Sequence, residues 1–420
     1  MTKGLHTRRQ FLGKSMLGVA PLIVPSGVLG LQGRAGANSR IRLAQIGVGQ
    51  RGHVLLDHIK ENVVALCDVD SEHLKRAANK IGPHAQLFSD YREVLSQADI
   101  DGVVIATPDH WHALQAIHAC QAGKDVFIEK PAVKSIDEAM QVQKAAQRWG
   151  SIVHVGSRTP QQGAVLHARA LIQSGALGAI NQVHCWAPPN VAGGEAKHYG
   201  PVPENLDWEQ WLGPAPYHPY NSTCAHVNHR WLLRYGGGMV KFIGADCFDA
   251  ALDCLDRKLD QTVQVEATGE APASGLWDCP ITMNARLQWE DGFNLQWTQA
   301  PKQSDTPALG VRFEGESGTL SLGLCGTDKV TLSSETIDVG EYSGAPAREP
   351  VSVWMDAIRN RAQSTSLIER GCRAAQVGSL INVAYTLARP LTYSPDEHGF
   401  MDDELANRHL KQAGRGPWRS

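Results

Sequence analysis

The chain has 420 residues, of which 42% are hydrophobic and 20% are charged, and this balance is typical of a protein with room for two packed domains. Its formal net charge of −3 gives no reason to expect nucleic acid or an acidic membrane surface as a partner. The nine cysteines are scattered singly, without a C-x-x-C pair, so neither a zinc knuckle nor a redox dithiol is indicated. His110 with His112, and His226 with His229, lack an obvious third ligand, so no metal site is expected.

The first 37 residues have the features of a removable export signal. Arg8 and Arg9 precede an apolar stretch at 16–31, and an A-G-A motif ends at Ala37, as in a leader with a cleavage site. Prolines and glycines interrupt the stretch, which makes it a poor membrane anchor. An arginine pair marks the twin-arginine route, by which folded proteins leave the cytoplasm. The sequence therefore predicts cleavage after Ala37, a mature protein that is periplasmic or otherwise exported, and no membrane association afterwards.

An apolar segment at 41–46 leads directly into a glycine-rich turn with the spacing G-x-G-x-x-G. The first glycine allows a tight turn, the second lets the backbone approach a pyrophosphate, and the third lets the following helix pack close to the strand. The N-terminus of that helix offers unpaired N–H groups and a positive dipole end to phosphates. The turn predicts a dinucleotide-binding site formed by Gly47, Gly49, Gln50, Arg51 and Gly52.

A second apolar run, at 63–67, ends in Asp68, which lies 21 positions after Gly47. A carboxylate in this place can accept hydrogen bonds from both hydroxyls of the adenosine ribose. Val69 and Asp70 follow it, so no adjacent Arg or Lys is available to hold a 2′-phosphate. The sequence therefore favours NAD over NADP. For an exported protein we expect the cofactor to be tightly bound, because free nicotinamide nucleotides are expected to be scarce outside the cytoplasm.

The segment from 71 to 155 alternates predicted helices with apolar strands. The predicted helices are 71–81, 91–98, 112–122 and 136–149, and the predicted strands are 102–106, 126–128 and 152–155. This alternation is typical of a doubly wound parallel sheet. Thr107, Pro108, Glu129 and Lys130 follow two of the strands, at the edge where such sheets bind their ligands. We therefore predict an α/β Rossmann domain at 38–156.

These motifs together resemble the Gfo/Idh/MocA family of glucose-fructose oxidoreductase, inositol dehydrogenase and rhizopine-catabolism proteins. The motifs of the first domain are G-V-G-Q-R-G at 47–52, C-D-V-D at 67–70, A-T-P-D-H-W-H at 106–112 and G-K-D-V-F-I-E-K-P at 123–131. The last is the most specific, because E-K-P after a buried strand is not a general Rossmann feature. Segments at 174–178, 206–216 and 235–239 resemble the branch of the family that is exported by the twin-arginine route.

The resemblance implies a second, α+β domain at 157–395, with a mixed and mostly antiparallel sheet that covers the nicotinamide. It also implies pairing with further copies of the chain, as a dimer or tetramer. The sequence is compatible with such a sheet, since alternating stretches at 281–289, 293–299 and 310–314 are typical of strands. We expect an apolar helix at 370–388 to pack back on the body, and a polar surface tail at 396–420.

The resemblance assigns Lys130 to both the nicotinamide ribose and the substrate hydroxyl, where it tunes or relays the proton that leaves as hydride moves. Alcohol oxidation independently requires a base near the carbinol and a cation that stabilises the developing alkoxide. Glu129 is expected to orient Lys130. Thr107, Pro108 and His112 are expected to line the nicotinamide pocket, with His112 as a cofactor contact rather than a catalyst.

A second catalytic pair of the family is altered in this chain. In its dehydrogenases a G-G-G turn precedes a helix that carries an Asp and, one turn later, a His. These places hold Phe242 and Asp246 here. Positions four apart share a helix face, so Asp246 is expected to act as a base or to bind a hydroxyl, and Phe242 to pack against a sugar ring. A shifted alignment that brings Lys241 to the site stays open.

The leading interpretation is an NAD(P)-dependent oxidoreductase that moves hydride between the nicotinamide and a sugar or polyol. Arg230 and Trp231 immediately precede the glycine turn, and we expect both to bind this substrate. Two alternatives remain open. One is redox-neutral, NAD-dependent cleavage of a glycoside by a hydrolase or lyase, and the other is a non-catalytic sugar-binding protein that retains the cofactor.

Overall fold

The computed structural model describes residues 40–195, 199–302, 307–325, 329–340, 348–362, 365–411 and 414–418. The predicted export signal at 1–37 lies outside these ranges. From Arg42 onward the chain forms one compact unit. Within the described ranges, no helix has both the length and the apolar character needed to cross a membrane.

The first half of this unit is a six-stranded, fully parallel sheet with the order β3-β2-β1-β4-β5-β6. Its strands are β1 (Leu43–Ile46), β2 (Val63–Cys67), β3 (Gln86–Phe88), β4 (Gly102–Ile105), β5 (Asp125–Ile128) and β6 (Val153–Val155). Its helices are α1 (Gln50–Ile59), α2 (Ser71–Ile81), α3 (Tyr91–Leu95), α4 (Asp109–Gln121) and α5 (Ile136–Trp149). The predicted doubly wound α/β fold is confirmed.

Local signals in the sequence account for the sharp ends of two of these helices. Asp70 caps α2, and its side chain accepts hydrogen bonds from the first-turn N–H groups of residues 72 and 73. Ser135 and Glu138 form a reciprocal capping box at the start of α5, and Gly150 ends that helix in the left-handed conformation. Both helices have the predicted bounds.

The second half is built on a nine-stranded sheet with the order β13-β12-β11-β7-β10-β9-β8-β14-β15. Its strands are β7 (Ile180–Ala187), β8 (Val263–Glu270), β9 (Thr282–Trp289), β10 (Asn294–Gln299), β11 (Gly310–Gly315), β12 (Gly318–Cys325), β13 (Lys329–Ser333), β14 (Leu391–Ser394) and β15 (Gly399–Phe400). All neighbours are antiparallel except β7 and β10. The predicted mixed, mostly antiparallel sheet is confirmed.

The helices of the second half, and those that follow the sheet, are α6 (Gly163–Gln173), α7 (Trp208–Leu212), α8 (Met239–Phe242), α9 (Gly244–Cys254), α10 (Pro350–Asn360), α11 (Thr365–Leu387) and α12 (Glu404–Arg408). One face of the nine-stranded sheet packs into an apolar core with α6, α9 and α11. In β8 the buried Val263 and Val265 alternate with the exposed Gln264 and Glu266. The opposite face is therefore mostly polar, exposed at β8 and partly exposed at the central strands β7 and β10.

Helix α11 belongs to the cores of both halves. Ile368 and Cys372 pack with the apolar residues of the parallel sheet, whereas Leu380 belongs to the core of the second sheet. The contact with the first half is close, because a Cβ added to Gly371 would lie 2.4 Å from the Val155 side chain. The first domain, predicted to be complete at residue 156, thus receives part of its core from the C-terminal region.

The C-terminal segment is more than the polar surface tail that we expected at 396–420. Phe400 and Leu410 are buried in the core of the second sheet. Trp418 is buried in the core of the parallel sheet, with its ring 5.2 Å from that of Trp111. Widely spaced apolar residues in a polar segment give no periodic signal, which explains why the sequence did not indicate this packing.

Candidate active site

One cavity of about 560 Å³ runs along the carboxyl edge of the parallel sheet and is lined by residues of both halves. The strand order β2-β1-β4-β5 places Asp68, the glycine turn, Thr107 and Lys130 one after another along this edge. All but two of the predicted site residues line the cavity, the exceptions being Gly52 and Trp231. The volume lies in the range of small-molecule and cofactor sites.

Steric constraints explain why two positions of the turn, 47 and 52, are occupied by glycine. Gly47 has a φ of +83°, and a Cβ on it would lie 2.7 Å from the backbone of Ala106. A Cβ on Gly52 would lie 2.1 Å from the Gly47 carbonyl oxygen, so this glycine permits the close approach of helix α1 to the turn. Gly49 is the N-cap residue of α1 and makes no side-chain cap. The N-terminus of α1, with Gln50 and Arg51, therefore opens into the cavity.

Asp68 is fixed at the end of β2 by two backbone hydrogen bonds. Its Oδ2 accepts from the N–H of Val48 at 2.8 Å, and its Oδ1 accepts from the N–H of Asp70 at 2.9 Å. His73 Nδ1 lies 3.7 Å from Oδ2, and the carboxylate raises the pKa of this histidine. Each carboxylate oxygen keeps a further acceptor position, so Asp68 can still bind ribose hydroxyls.

The second half closes over this end of the cavity through His226. Its Nε2 lies 3.2 Å from Asp70 Oδ2, and its ring lies 4.5 Å from that of His73. Asp70, His73 and His226 form a group of potential metal ligands whose ligand atoms lie within 4.8 Å of one another. Ion pairs and helix capping already account for this arrangement, so it gives no specific indication of a metal.

At the other end of the cavity, Lys130 lies at the centre of a compact polar cluster. Its Nζ donates to Asp246 Oδ2 and to the carbonyl oxygen of Phe242, both at 2.7 Å. The Thr159 hydroxyl donates to Asp246 Oδ1 at 3.3 Å. The Lys130 ammonium has a third hydrogen, which is available to a substrate oxygen.

An aromatic ring separates this cluster from a second cation. The Phe242 ring has its centroid 4.4 Å from Lys130 Nζ and 4.2 Å from the Arg230 guanidinium carbon. The helix that we expected to carry both Phe242 and Asp246 is divided, since α8 ends at Phe242 and α9 begins at Gly244. Both side chains nevertheless line the cavity.

Glu129 and His112 connect the loops that follow the strands. The Glu129 carboxylate accepts from Arg51 Nε at 2.7 Å and from the backbone N–H of Lys130 at 3.2 Å. It thus holds the backbone of Lys130, while Asp246 holds the ammonium. The ring nitrogens of His112 each lie 2.8 Å from a carbonyl oxygen, those of Pro131 and Thr107. His112 therefore braces two adjacent strand ends.

A buried ion pair joins the two halves beside this cluster. Asp109, in the first turn of α4 after the N-cap Pro108, has its Oδ1 2.9 Å from His229 Nε2. Burial by itself raises the pKa of Asp109, but the charge and hydrogen bond of His229, with smaller contributions from His112 and Lys241, lower it to about 2. The pair fixes the segment at 226–231 against the first half.

Two residues that the sequence suggested for substrate binding or for a shifted alignment, Trp231 and Lys241, lie away from the cavity. Trp231 does not line it, because its ring packs towards Trp277, at 6.1 Å between centroids. Lys241 is buried, and its Nζ donates to Ala375 O and Ser379 Oγ, both at 2.8 Å, and to a third oxygen at 3.1 Å. Lys241 therefore connects α8 to α11 and takes no part in the site.

Several residues of the cavity were not predicted from the sequence. Thr159 follows β6, and the signal that identified Lys130, a polar residue beyond the carboxyl end of a strand, applies to it as well. His73, Asp109, His226 and His229 also line the cavity. Their pairing depends on contacts across 120 residues of chain in the case of Asp109 and His229, which no local pattern contains.

The residues along the cavity fit a dinucleotide. The uncapped N-terminus of α1 suits a pyrophosphate, Asp68 suits a ribose, and the Lys130 cluster lies where the strand order places the far end of the ligand. A parallel sheet with a glycine turn and this edge cavity defines a dinucleotide-binding Rossmann protein with an added α+β domain.

Comparison with known proteins agrees with this class. A profile described as "Oxidoreductase family, NAD-binding Rossmann fold" matches residues 41–157, and one described as "Oxidoreductase family, C-terminal alpha/beta domain" matches residues 165–420. The chain therefore belongs to the Gfo/Idh/MocA family.

Individual relatives match smaller parts of the chain. An inositol 2-dehydrogenase of Burkholderia multivorans is 31% identical over 150 residues, which cover 34% of this chain and 44% of the relative. A glycosyl hydrolase family 109 protein of Shewanella woodyi is 35% identical over 122 residues, 26% of each chain. The chain thus matches less than half of the length of these relatives.

Among solved structures, the WlbA dehydrogenase of Bordetella pertussis, in complex with NADH and UDP-GlcNAcA, has a TM-score of 0.62 at 20% identity. The similarity covers 84% of this chain and 98% of that one. At this level of identity it shows a shared fold.

Proposed function

We propose that the protein is an NAD-dependent oxidoreductase that acts on a CH–OH group of a sugar or polyol. The observation that carries the proposal is the Lys130–Asp246 pair at the end of a dinucleotide-shaped cavity, with Nζ and Oδ2 2.7 Å apart. The inositol 2-dehydrogenase relative and the dehydrogenase fold neighbour support the same class of reaction.

Each residue of the cluster has its own role in alcohol oxidation. When bound, NAD supplies the hydride acceptor. Asp246 Oδ1, whose hydrogen bond from Thr159 is long at 3.3 Å, accepts the hydroxyl proton as general base. The free hydrogen of the Lys130 ammonium stabilises the developing alkoxide. Phe242 packs against the substrate and helps to exclude water, but it cannot move a proton.

The experiment measures reduced-nicotinamide absorbance while the purified, NAD-containing protein is mixed with a panel of sugars and polyols. Lys130→Ala should lower turnover at least about a hundredfold, the usual share of a positioned acid–base group, while NAD stays bound. Asp246→Asn should also be costly, because an amide cannot accept the proton. Lys144→Ala, on the exposed side of α5, is the matched control. Equal turnover of the Lys130→Ala variant and the control would refute the assignment.

Solvent deuterium distinguishes the two alternatives to net oxidation. Wash-in of deuterium to a sugar carbon without net cofactor reduction is the expected sign of redox-neutral cleavage, in which hydride leaves and returns. A sugar-binding protein without activity shows neither wash-in nor reduction. Either result contradicts net oxidation.

We propose NAD rather than NADP as the cofactor, and tight retention of it. The carboxylate of Asp68 lines the ribose end of the cavity, where a 2′-phosphate would be repelled. The contact of His226 with Asp70, 3.2 Å between Nε2 and Oδ2, supports retention because it closes the second half over this end. Co-purification of NADP, or free exchange of NAD during gel filtration, would contradict the proposal.

We also propose export by the twin-arginine route and self-association into a dimer or tetramer. Arg8 and Arg9 in the leader support the first. The second is supported by the broad polar face of the nine-stranded sheet, where exposed residues such as Glu266 and Arg286 lie opposite each other on β8 and β9. Sedimentation velocity tests it, and a monomer at micromolar concentration would refute it.

A further inference from the structure

Most charged side chains around the Lys130 end of the cavity are neutralised by a partner. The pairs, with their shortest nitrogen–oxygen distances, are Lys130 with Asp246 at 2.7 Å, Arg51 with Glu129 at 2.7 Å, Arg158 with Glu349 at 2.6 Å and His229 with Asp109 at 2.9 Å. A neutral polyol would need no further charged side chain here. A charged side chain without a partner would therefore indicate a charged group on the substrate.

Arg230 is such a side chain. It lines the cavity, and its Nε donates to the carbonyl oxygen of Val227 at 2.7 Å. Within the described part of the chain, no carboxylate lies within 4.0 Å of its guanidinium nitrogens, and its two terminal nitrogens have no hydrogen-bond acceptor. The side chain is half-buried; burial lowers the pKa of Arg230, and the charge of Asp109, which is already paired with His229, raises it by less. A partly desolvated guanidinium without an acceptor costs free energy until a partner satisfies it.

The Phe242 ring places this cation next to the reacting atoms. Arg230 and Lys130 lie 4.2 and 4.4 Å from the centroid of the same ring. The ring offsets part of the charge through cation–π attraction, but it offers no hydrogen-bond acceptor. Because Lys130, Phe242 and Arg230 all line the cavity, a substrate that presents a hydroxyl to Lys130 reaches the Arg230 guanidinium with its other groups.

We propose that Arg230 binds a carboxylate of the substrate, which makes the substrate a sugar acid such as a uronate; this rests on the proposed oxidoreductase function. The planar guanidinium fork matches a carboxylate in a bidentate arrangement. A phosphate dianion fits less well, because Arg230 supplies one positive charge and Lys130 is already paired with Asp246. Arg230 determines specificity, while Lys130 and Asp246 carry the chemistry.

The test compares matched pairs of sugars with the NAD-containing protein: glucose with glucuronate, galactose with galacturonate, and mannose with mannuronate. We expect at least one acid to exceed its neutral partner in kcat/KM by about tenfold or more, as charge-assisted hydrogen bonds imply. Arg230→Gln should remove this preference, chiefly by raising KM for the acid, so that the ratio of kcat/KM between acid and neutral sugar falls to about one. Arg230→Lys should restore part of it. The control is Arg234→Gln, four residues along and outside the cavity lining.

The possible results distinguish a failure of the carboxylate assignment from a failure of the proposed oxidoreductase function. Equal kcat/KM for acid and neutral sugar in the parent protein overturns the carboxylate assignment while oxidation stands, and a preference for glucose 6-phosphate assigns Arg230 to phosphate instead. Loss of NAD from the Arg230→Gln variant, with the acid preference intact, makes Arg230 a cofactor ligand and also overturns the proposal. If no sugar is oxidised, the proposed function fails. Calorimetric binding of the three uronates then still tests Arg230, and equal affinity of the parent and the Gln variant refutes its role.

Discussion

The buried pair of Asp109 and His229 should be measurable as a pH-dependent part of the stability. Asp109 is 8% exposed, and its pKa is lowered from 3.8 to about 2 in the folded chain. At 1.36 kcal/mol per pKa unit, this corresponds to about 2 to 3 kcal/mol of folding free energy at pH 7. Because the folded pKa lies below the unfolded one, the stabilisation is complete above about pH 5 and is lost as pH falls towards 2.

Asp109→Asn keeps the shape of the side chain and removes its charge, so it should lower the free energy of unfolding by about 2 kcal/mol at pH 7. The difference from the parent protein should fall to about half at pH 3, since the parent carboxylate is then partly protonated in the unfolded chain. Urea unfolding followed by tryptophan fluorescence, at several pH values, measures the destabilisation at pH 7 and its decrease at pH 3. Asp396→Asn, at an exposed position, is the control. A cost for Asp109→Asn that is unchanged between pH 7 and pH 3 would refute the lowered pKa.

Two further predictions concern the cofactor and the leader. Asp68→Ala should weaken NAD binding by on the order of 1 to 3 kcal/mol, because charge-assisted hydrogen bonds to the ribose are lost; calorimetry measures this, and unchanged affinity would exclude Asp68 as the ribose ligand. Replacing both Arg8 and Arg9 with Lys should retain the protein in the cytoplasm, because the translocation receptor reads the arginine pair; mature protein in the periplasmic fraction would show that the twin-arginine interpretation is wrong.

Helix ends and strand ends were predictable wherever a local signal marks them. The bounds of α2 and α5 follow from their caps, Asp70 and the Ser135–Glu138 box. The start of helix α4 was predicted three residues too late, because the helix is buried on nearly every side and carries no amphipathic stripe from which its start can be read. Pro108, its N-cap, was the available signal.

Contacts between residues that are far apart in the sequence could not be predicted from local sequence patterns. The departure from the family pattern at Phe242 and Asp246 stays a prediction, and both residues were expected on one helix. Their separation onto two helices, α8 and α9, was not foreseen, since the break at Ile243 is marked by neither a proline nor a cap. The charge environment of Arg230 depends on which carboxylates lie nearby in space, and this emerges only after folding.

The sharing of α11 between the two cores has a consequence for biosynthesis. The parallel sheet carries the nucleotide site, yet Ile368, Cys372 and Trp418, which complete its apolar core, are synthesised long after its last strand, β6 (Val153–Val155). N-terminal domains commonly fold during translation, but this one must wait for the rest of the chain. A nascent chain that ends before residue 365 lacks this cover and leaves one side of the β6 edge open to solvent and to chaperones.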